Sequence, residues 1–390
     1  MIQADPIKIY IIAGEASGDI LGARLMTAMR GMDGGRAIEF RGIGGDMMNA
    51  AGLRSQFPMN ELSLMGLFEI IPHIPNLRAR IAQTAADIKN YNPDVLVTID
   101  SPGFCKRVAA QIGRGHFPMV HYVAPSVWAW RPGRAKTMAR LFDHVLCLLP
   151  FEPPYFTAQG MGASFVGHSV VESDLANGDA AQFRLRHNIT GDDPILCLLP
   201  GSRVGEIKRL LPLFLQIYGQ LRREKPQLRA VIPTLPHLTP MIREMILDHP
   251  IIISDDAAEK KHVFAASRAA LAASGTVSME LAFARVPCVV AYRVHPVTAM
   301  IARRMIKTTY ISLANIVLNR PAVPELVQES ATLENLTAAT RAVLWDDSAR
   351  QSQIAAGIDA IEKMRPSGGK TPSQIAAQVI LDLCRNRQKA

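Results

Sequence analysis

The chain reads as α/β, folded into two doubly wound domains that face each other across a cleft. Three observations predict this. Short, continuously apolar strands alternate with helical segments from Lys8 onward, the pattern of parallel sheets buried on both faces. At 390 residues the chain exceeds what one ordinary core serves. The alternation also breaks once, in the polar, turn-rich stretch 168–190.

The first series places strands at 7–13, 37–42, 94–99, 118–124, 144–149 and 163–167, with clear helices at 17–31 and 77–90. The second places strands at 194–199, 228–233, 250–254, 269–273 and 287–292, with helices at 206–224 and 276–286. The domains are therefore drawn at 1–170 and 171–365. Pro366-Ser-Gly-Gly then reads as a linker to a last helix at about 372–385, so that 366–390 is expected to rejoin the first domain.

Composition narrows the function. A hydrophobic fraction of 48% with 20% charged residues is that of a globular protein, and no apolar run approaches the ~20 residues that span a bilayer. The start, with Asp5 followed at once by a strand, does not read as a signal peptide. Five scattered cysteines point to buried thiols and to no disulfide framework or zinc site. A cytoplasmic location is expected. The net charge of +9 is concentrated: residues 104–142 hold seven Lys or Arg and no acid, and 293–324 hold five and no acid. These cations are interleaved with Leu, Met, Ile and Trp, which fits an anionic membrane surface or a phosphorylated lipid rather than nucleic acid.

The most informative motif is LLPGSRVGEI at 198–207. A strand runs into Pro-Gly-Ser-Arg and opens a helix, gathering backbone N–H groups, the Ser202 hydroxyl and the Arg203 guanidinium at one helix N-terminus. That combination attracts phosphate, and Arg adds a bidentate fork. A second strand-turn-helix follows in ALAASGTVSMELAF at 270–283, where Ser274, Gly275 and Thr276 form the turn. Ser274 or Thr276 also suits an N-cap, and Glu280, one turn in, suits ribose hydroxyls. Two such turns fit a nucleoside-diphosphate crevice at the carboxyl ends of parallel strands.

The first domain carries a different chemistry. Its first turn, AGEASGD at 13–19, lacks the glycine pattern of a dinucleotide site and carries two acids, Glu15 and Asp19. Acids repel a pyrophosphate and welcome sugar hydroxyls, so this turn, with Ser17, is assigned to an acceptor; Ser17 and Asp19 also read as N-caps. The GIGG at 42–45 reads as a close backbone crossing. Asp100 ends a strand at the crevice mouth, where half-burial would raise its pKa and suit a general base. HYVAPSVWAWR at 121–131 sets His121, Ser126, Trp128, Trp130 and Arg131 just after a strand, a group suited to a sugar or a phosphorylated glycolipid head. The apolar stretch 59–76, with Met65 and Phe68 and broken by Pro72 and Pro75, is expected to hold acyl chains or dip into a membrane surface.

Taken together, AGEASGD, HYVAPSVWAWR, LPFE (149–152), FVGH (165–168), LLPGSRVGEI, ASGTVSMELA (273–282), KTTYISLANI (307–316) and PELVQE (324–329) resemble the lipid-A-disaccharide synthase family over nearly the whole chain. The resemblance implies the GT-B architecture of two Rossmann-like domains. It also implies an inverting, β-1,6-forming transfer of 2,3-diacylglucosamine from UDP-2,3-diacylglucosamine to 2,3-diacylglucosamine 1-phosphate, with UDP released. It implies an enzyme held peripherally at the inner membrane, in lipid A biosynthesis, and it leaves a homodimer open. On this reading Asp100 or Glu15 is the base, and Asn315 and Gln328 join the donor contacts. No D-x-D triplet occurs, so neither metal nor other cofactor is expected. Gly103, Ser169 and Glu172 depart from the family's usual residues at their positions. A UDP-N-acetylglucosamine 2-epimerase or another GT-B UDP-sugar transferase is the alternative.

Overall fold

The computed structural model describes residues 5–32, 36–62, 74–247, 249–294 and 308–389. The chain divides into two compact units, residues 1–169 with 364–390 and residues 170–363. The second unit is continuous in sequence; the first is not.

In the first unit, β1 (Ile7–Ala13), β2 (Ile38–Ile43), β3 (Val95–Ile99), β4 (Met119–Tyr122), β5 (His144–Cys147) and β6 (Gly162–Phe165) form one parallel sheet in the order β2-β1-β3-β4-β5-β6. β1 shows why: all its residues except Lys8 are buried, as a strand covered on both faces requires. Helix Ala16–Arg30 lays Leu21, Leu25, Met26 and Met29 on one face of the sheet. Beside them pack Ala376, Ala377, Ile380, Leu381 and Cys384 of helix Pro372–Lys389, the 3.6-residue spacing of one helical stripe. The terminal helix therefore belongs to the first core.

The second unit holds β7 (Ile195–Leu199), β8 (Arg229–Pro233), β9 (Ile251–Ser254), β10 (Ala269–Ala273), β11 (Cys288–Tyr292) and β12 (Glu325–Val327), parallel in the order β12-β11-β10-β7-β8-β9. Helix Val204–Glu224 covers this sheet with Ile207, Leu210, Leu211, Phe214, Ile217, Tyr218 and Leu221.

Several elements differ from expectation, the strands expected at 144–149 and 163–167 ending at Cys147 and Phe165. The strand placed at 118–124 leaves the ladder after Tyr122, because Val123 turns to φ 79°. β12 was not foreseen; it is three half-buried residues with no apolar run to announce it. At Gly42, φ is +147° and an added Cβ would run into the Ile11 carbonyl, so the GIGG segment does make a close backbone crossing. All five cysteines are buried.

Candidate active site

In the second sheet the strand order reverses between β7 and β10, which pair directly, Leu199 against Ala272. Crossovers leave these two strands in opposite directions. Their carboxyl ends therefore open side by side, the place where α/β sheets take ligands. The turn after β7 holds Gly201 at φ +120°, where an added Cβ would lie 2.5 Å from Glu206 Oε2. Arg203 is the N-cap of helix Val204–Glu224, in extended backbone. Its side chain is exposed, with Nη1 3.6 Å from Glu206 Oε1. Ser202, Val204 and Gly205 are also exposed, so the start of the helix lies open to solvent, while the Glu206 N–H turns back to the Arg203 carbonyl at 3.0 Å.

Beside it, the turn after β10 presents Gly275 and Thr276, with Ser274 half-buried and its N–H donating to the Ala291 carbonyl at 3.2 Å. Thr276 takes the N-cap position of helix Val277–Phe283 without a side-chain capping bond; Ser274 does not cap. The structure thus brings Ser202, Arg203, Ser274, Gly275 and Thr276 to one edge of one sheet.

Other donor candidates are tied into the framework. Glu280 lies in the first turn of helix Val277–Phe283 and pairs with Lys260 Nζ through Oε2 at 2.6 Å. Asn315 is 1% exposed, and its amide is fully used. Nδ2 donates to the Val323 carbonyl and to Glu325 Oε1, while Oδ1 accepts from the Ala322 and Val323 N–H groups. Glu325 in turn accepts from the N–H groups of Ile311 and Ser312, closing the N-terminus of helix Leu313–Leu318. Gln328 sits at φ 53° and accepts from the Val294 N–H.

The first sheet reverses between β1 and β3, with Ala13 against Ile99. The turns that follow carry Glu15 and Asp100, and they touch: an added Cβ at Gly14 would lie 2.6 Å from Ser101 Oγ. Both candidate bases therefore stand at one switch point. Asp100 is half-buried, and burial raises its carboxyl above the ordinary range against a smaller opposing effect of the Ser101 N–H. Asp100 and Ser101 both adopt left-handed backbone, φ 49° and 43°, and β-branched Val123, at the end of neighbouring β4, does the same. Such strain persists where the surroundings enforce it, and it clusters at functional sites.

Several first-unit assignments need correction. Asp19 does not line the acceptor turn. It is 4% exposed and accepts from the N–H groups of Gly45, Met47 and Met48, thereby capping helix Asp46–Ala50. Nor do Ser17 and Asp19 cap their own helix, which starts at Ala16 with Glu15 as N-cap; Ser17 is exposed in its first turn. His121 has no accessible surface. Its Nδ1 lies 2.8 Å from Thr98 Oγ1, its ring packs on Phe142, and burial pushes its pKa down to about 3. It is a neutral core residue, not an acceptor contact. Met65 and Phe68 lie outside the described residues.

The loop after β4 keeps its surface. Ser126 and Arg131 are exposed, and Trp128 and Trp130 half-buried. Trp128 Nε1 donates to Glu152 Oε1 at 3.0 Å, while the Leu149 N–H donates to Oε2 at 3.0 Å. Phe151 meets Trp128 edge-on, with ring centroids 5.3 Å apart. Glu152 is 3% exposed, and burial raises its pKa to about 7. Sequence reasoning gave Glu152 no role. Its only sign was the LPFE motif, and its partner lies far back in the chain.

The sequence model described as Lipid-A-disaccharide synthetase matches residues 9–379. A curated lipid-A-disaccharide synthase of Rhodospirillum centenum is 46% identical over 98% of this chain and 96% of its own. Among solved structures, the UDP-GlcNAc 2-epimerase of Neisseria meningitidis bound to UDP-GlcNAc is similar with a TM-score of 0.59 at 11% identity, covering 98% of this chain and 100% of its own. A glycosyltransferase of Rickettsia africae gives 0.58 at 13%, covering 98% of both. At such identities these two likenesses speak for the fold, two Rossmann-like units in the GT-B manner.

Proposed function

The chain belongs to the lipid-A-disaccharide synthetase family, and from that premise we propose how its residues divide the reaction. It is a glycosyltransferase of lipid A biosynthesis. The substrates are UDP-2,3-diacylglucosamine and 2,3-diacylglucosamine 1-phosphate, and the products are the β-1,6-linked disaccharide 1-phosphate and UDP. The second unit takes the donor. Arg203, the Ser202 and Thr276 hydroxyls and the amides of 274–276 neutralise the diphosphate as it departs. Glu280, steadied by Lys260, keeps one carboxylate oxygen for ribose. Gln328 borders the same strand ends, and Asn315, fully bonded, acts by holding Glu325 and the 322–323 backbone in place.

The first unit takes the acceptor, with Ser17, Ser126, Trp128, Trp130 and Arg131 along one sheet edge. Asp100 removes the proton from the acceptor 6-hydroxyl. That oxygen then bonds to the donor's anomeric carbon as the bond to the diphosphate breaks, inverting the centre. The observation that carries this is Asp100 itself: a half-buried carboxylate of raised basicity, strained into left-handed backbone at the switch point of its sheet. Glu15 on the adjoining turn is the rival base. Asp100→Asn lowers turnover at least ~100-fold with UDP binding intact. Near-normal turnover in that variant, with loss in Glu15→Gln, transfers the role to Glu15.

Incubation of the two diacylated sugars with the protein, with and without a chelator, followed by mass analysis of the product, tests the reaction. Turnover of UDP-N-acetylglucosamine instead would favour the epimerase alternative. Among the described residues no helix is long and apolar enough to cross a membrane. The acid-free basic stretches support a peripheral attachment to the anionic inner-membrane surface, which sedimentation with anionic vesicles at low and high salt would measure.

A further inference from the structure

The loop after β4 and the two helices beside it gather an uncompensated positive charge. Trp130 carries two guanidiniums on its ring, Arg131 with Cζ 4.8 Å and Arg134 with Cζ 4.3 Å from the centroid. Lys106, on helix Pro102–Ile112, is close enough that Arg134 and Arg107 disturb it. Burial first, then these like charges, holds the Lys106 ammonium below its usual range; burial and Arg131 do the same to Arg134. Other cations of this unit do have a carboxylate, as Arg114 has Asp143 and Arg80 has Glu61. Among the described residues Lys106, Arg107, Arg131 and Arg134 have no such carboxylate, and none exists in sequence from 104 to 142. Arg107 Nη1 donates only to the Gly103 carbonyl. Helix Gly133–Leu141 also starts here, with no acid in its first turn and no side chain capping it.

Cations crowded around one loop repel each other, and a dianion relieves that repulsion while the planar guanidiniums grip its oxygens. Lys106 lies on the helix that follows β3 and Asp100, and Arg131 and Arg134 lie on the loop and helix that follow the neighbouring strand β4. We propose that Lys106, Arg131 and Arg134, backed by the Trp130 ring, form a phosphate-monoester site that selects the acceptor by its sugar 1-phosphate. The site rests on the reading of this chain as a disaccharide synthase acting on a phosphorylated acceptor. Trp130 packs against the sugar ring, and the cations fix the phosphate so that one hydroxyl is offered to Asp100.

Two measurements test this on the full chain. In the first, tryptophan emission is followed during titration with glucosamine 1-phosphate and with glucosamine. The phosphorylated sugar alone perturbs it, and Arg134→Met and Lys106→Met each weaken that response at least about 10-fold. In the second, disaccharide formation is measured in neutral detergent micelles. KM for the phosphorylated acceptor rises about 10- to 100-fold in Arg134→Met with the donor KM held, preference over the acceptor lacking phosphate collapses, and Arg134→Lys restores part of it. Equal losses on both acceptors would reduce the cluster to a structural role and overturn the proposal. So would unchanged acceptor kinetics with lost binding to phosphatidylglycerol vesicles, which would give the cations to bilayer headgroups. A wild-type protein that makes no disaccharide would defeat the functional reading alone, because the sugar-phosphate titration decides the site independently.

Discussion

At the residue scale two carboxylates of the first unit, Asp100 and Glu152, have separate pH signatures. Asp100 must be ionised to accept a proton, and its pKa is raised by burial. The acid limb of kcat/KM therefore falls at a pH above the ordinary aspartate range, and the residual activity of Asp100→Asn lacks that limb. Glu152 acts on stability instead. Its pKa rises from 4.5 to about 7 on folding, so between those values the folded state holds a proton that the unfolded state has lost. Stability thus falls as pH climbs through that window, by about 3 kcal/mol from this group alone, and levels off above it. Thermal melts from pH 4 to 8 would show a flatter decline in Glu152→Gln than in the wild type. The variant starts lower, because one of the Trp128 and Leu149 N–H donors loses its acceptor.

At the element scale the strand-to-turn junctions decide what is tolerated. Gly201 has a backbone only glycine adopts cheaply, with Glu206 behind it, so Gly201→Ala distorts the turn that presents Ser202 and Arg203. Calorimetry with UDP should show at least about a 10-fold loss of affinity, accompanied by a lower melting temperature. Gly275 has open space where a Cβ would go. Gly275→Ala should melt with the wild type, so any loss of UDP affinity there reports a methyl group against ligand. Sequence made the regular elements legible because doubly covered strands such as β3, Val95–Ile99, are almost wholly apolar. β12 escaped because half-buried Glu325, Leu326 and Val327 are paired by position, not by composition. The site was legible as turns but less so as side chains. Nothing local shows that His121 faces the core, or that Asp19 and Asn315 spend their polar atoms on backbone from distant segments.

At the scale of the whole molecule, the helix Pro372–Lys389 is the only described element after the second unit, and its stripe closes the first core. Leu381 is 1% exposed, and Leu381→Ala should cost about 2–5 kcal/mol. Hydrogen exchange should show that loss in strands β1 to β6 and leave β7 to β12 protected, because the lost contacts all lie in the first unit. A uniform loss of protection would mean that the two units unfold as one.

This interruption of the first unit has a consequence for biosynthesis. The second unit is translated as one uninterrupted piece and can complete its core while the chain is still being made. The first unit is begun earlier but waits, with the flank of Leu25 and Met29 uncovered, until the ribosome has delivered Ala376 to Cys384. The half that is synthesised first is therefore finished last.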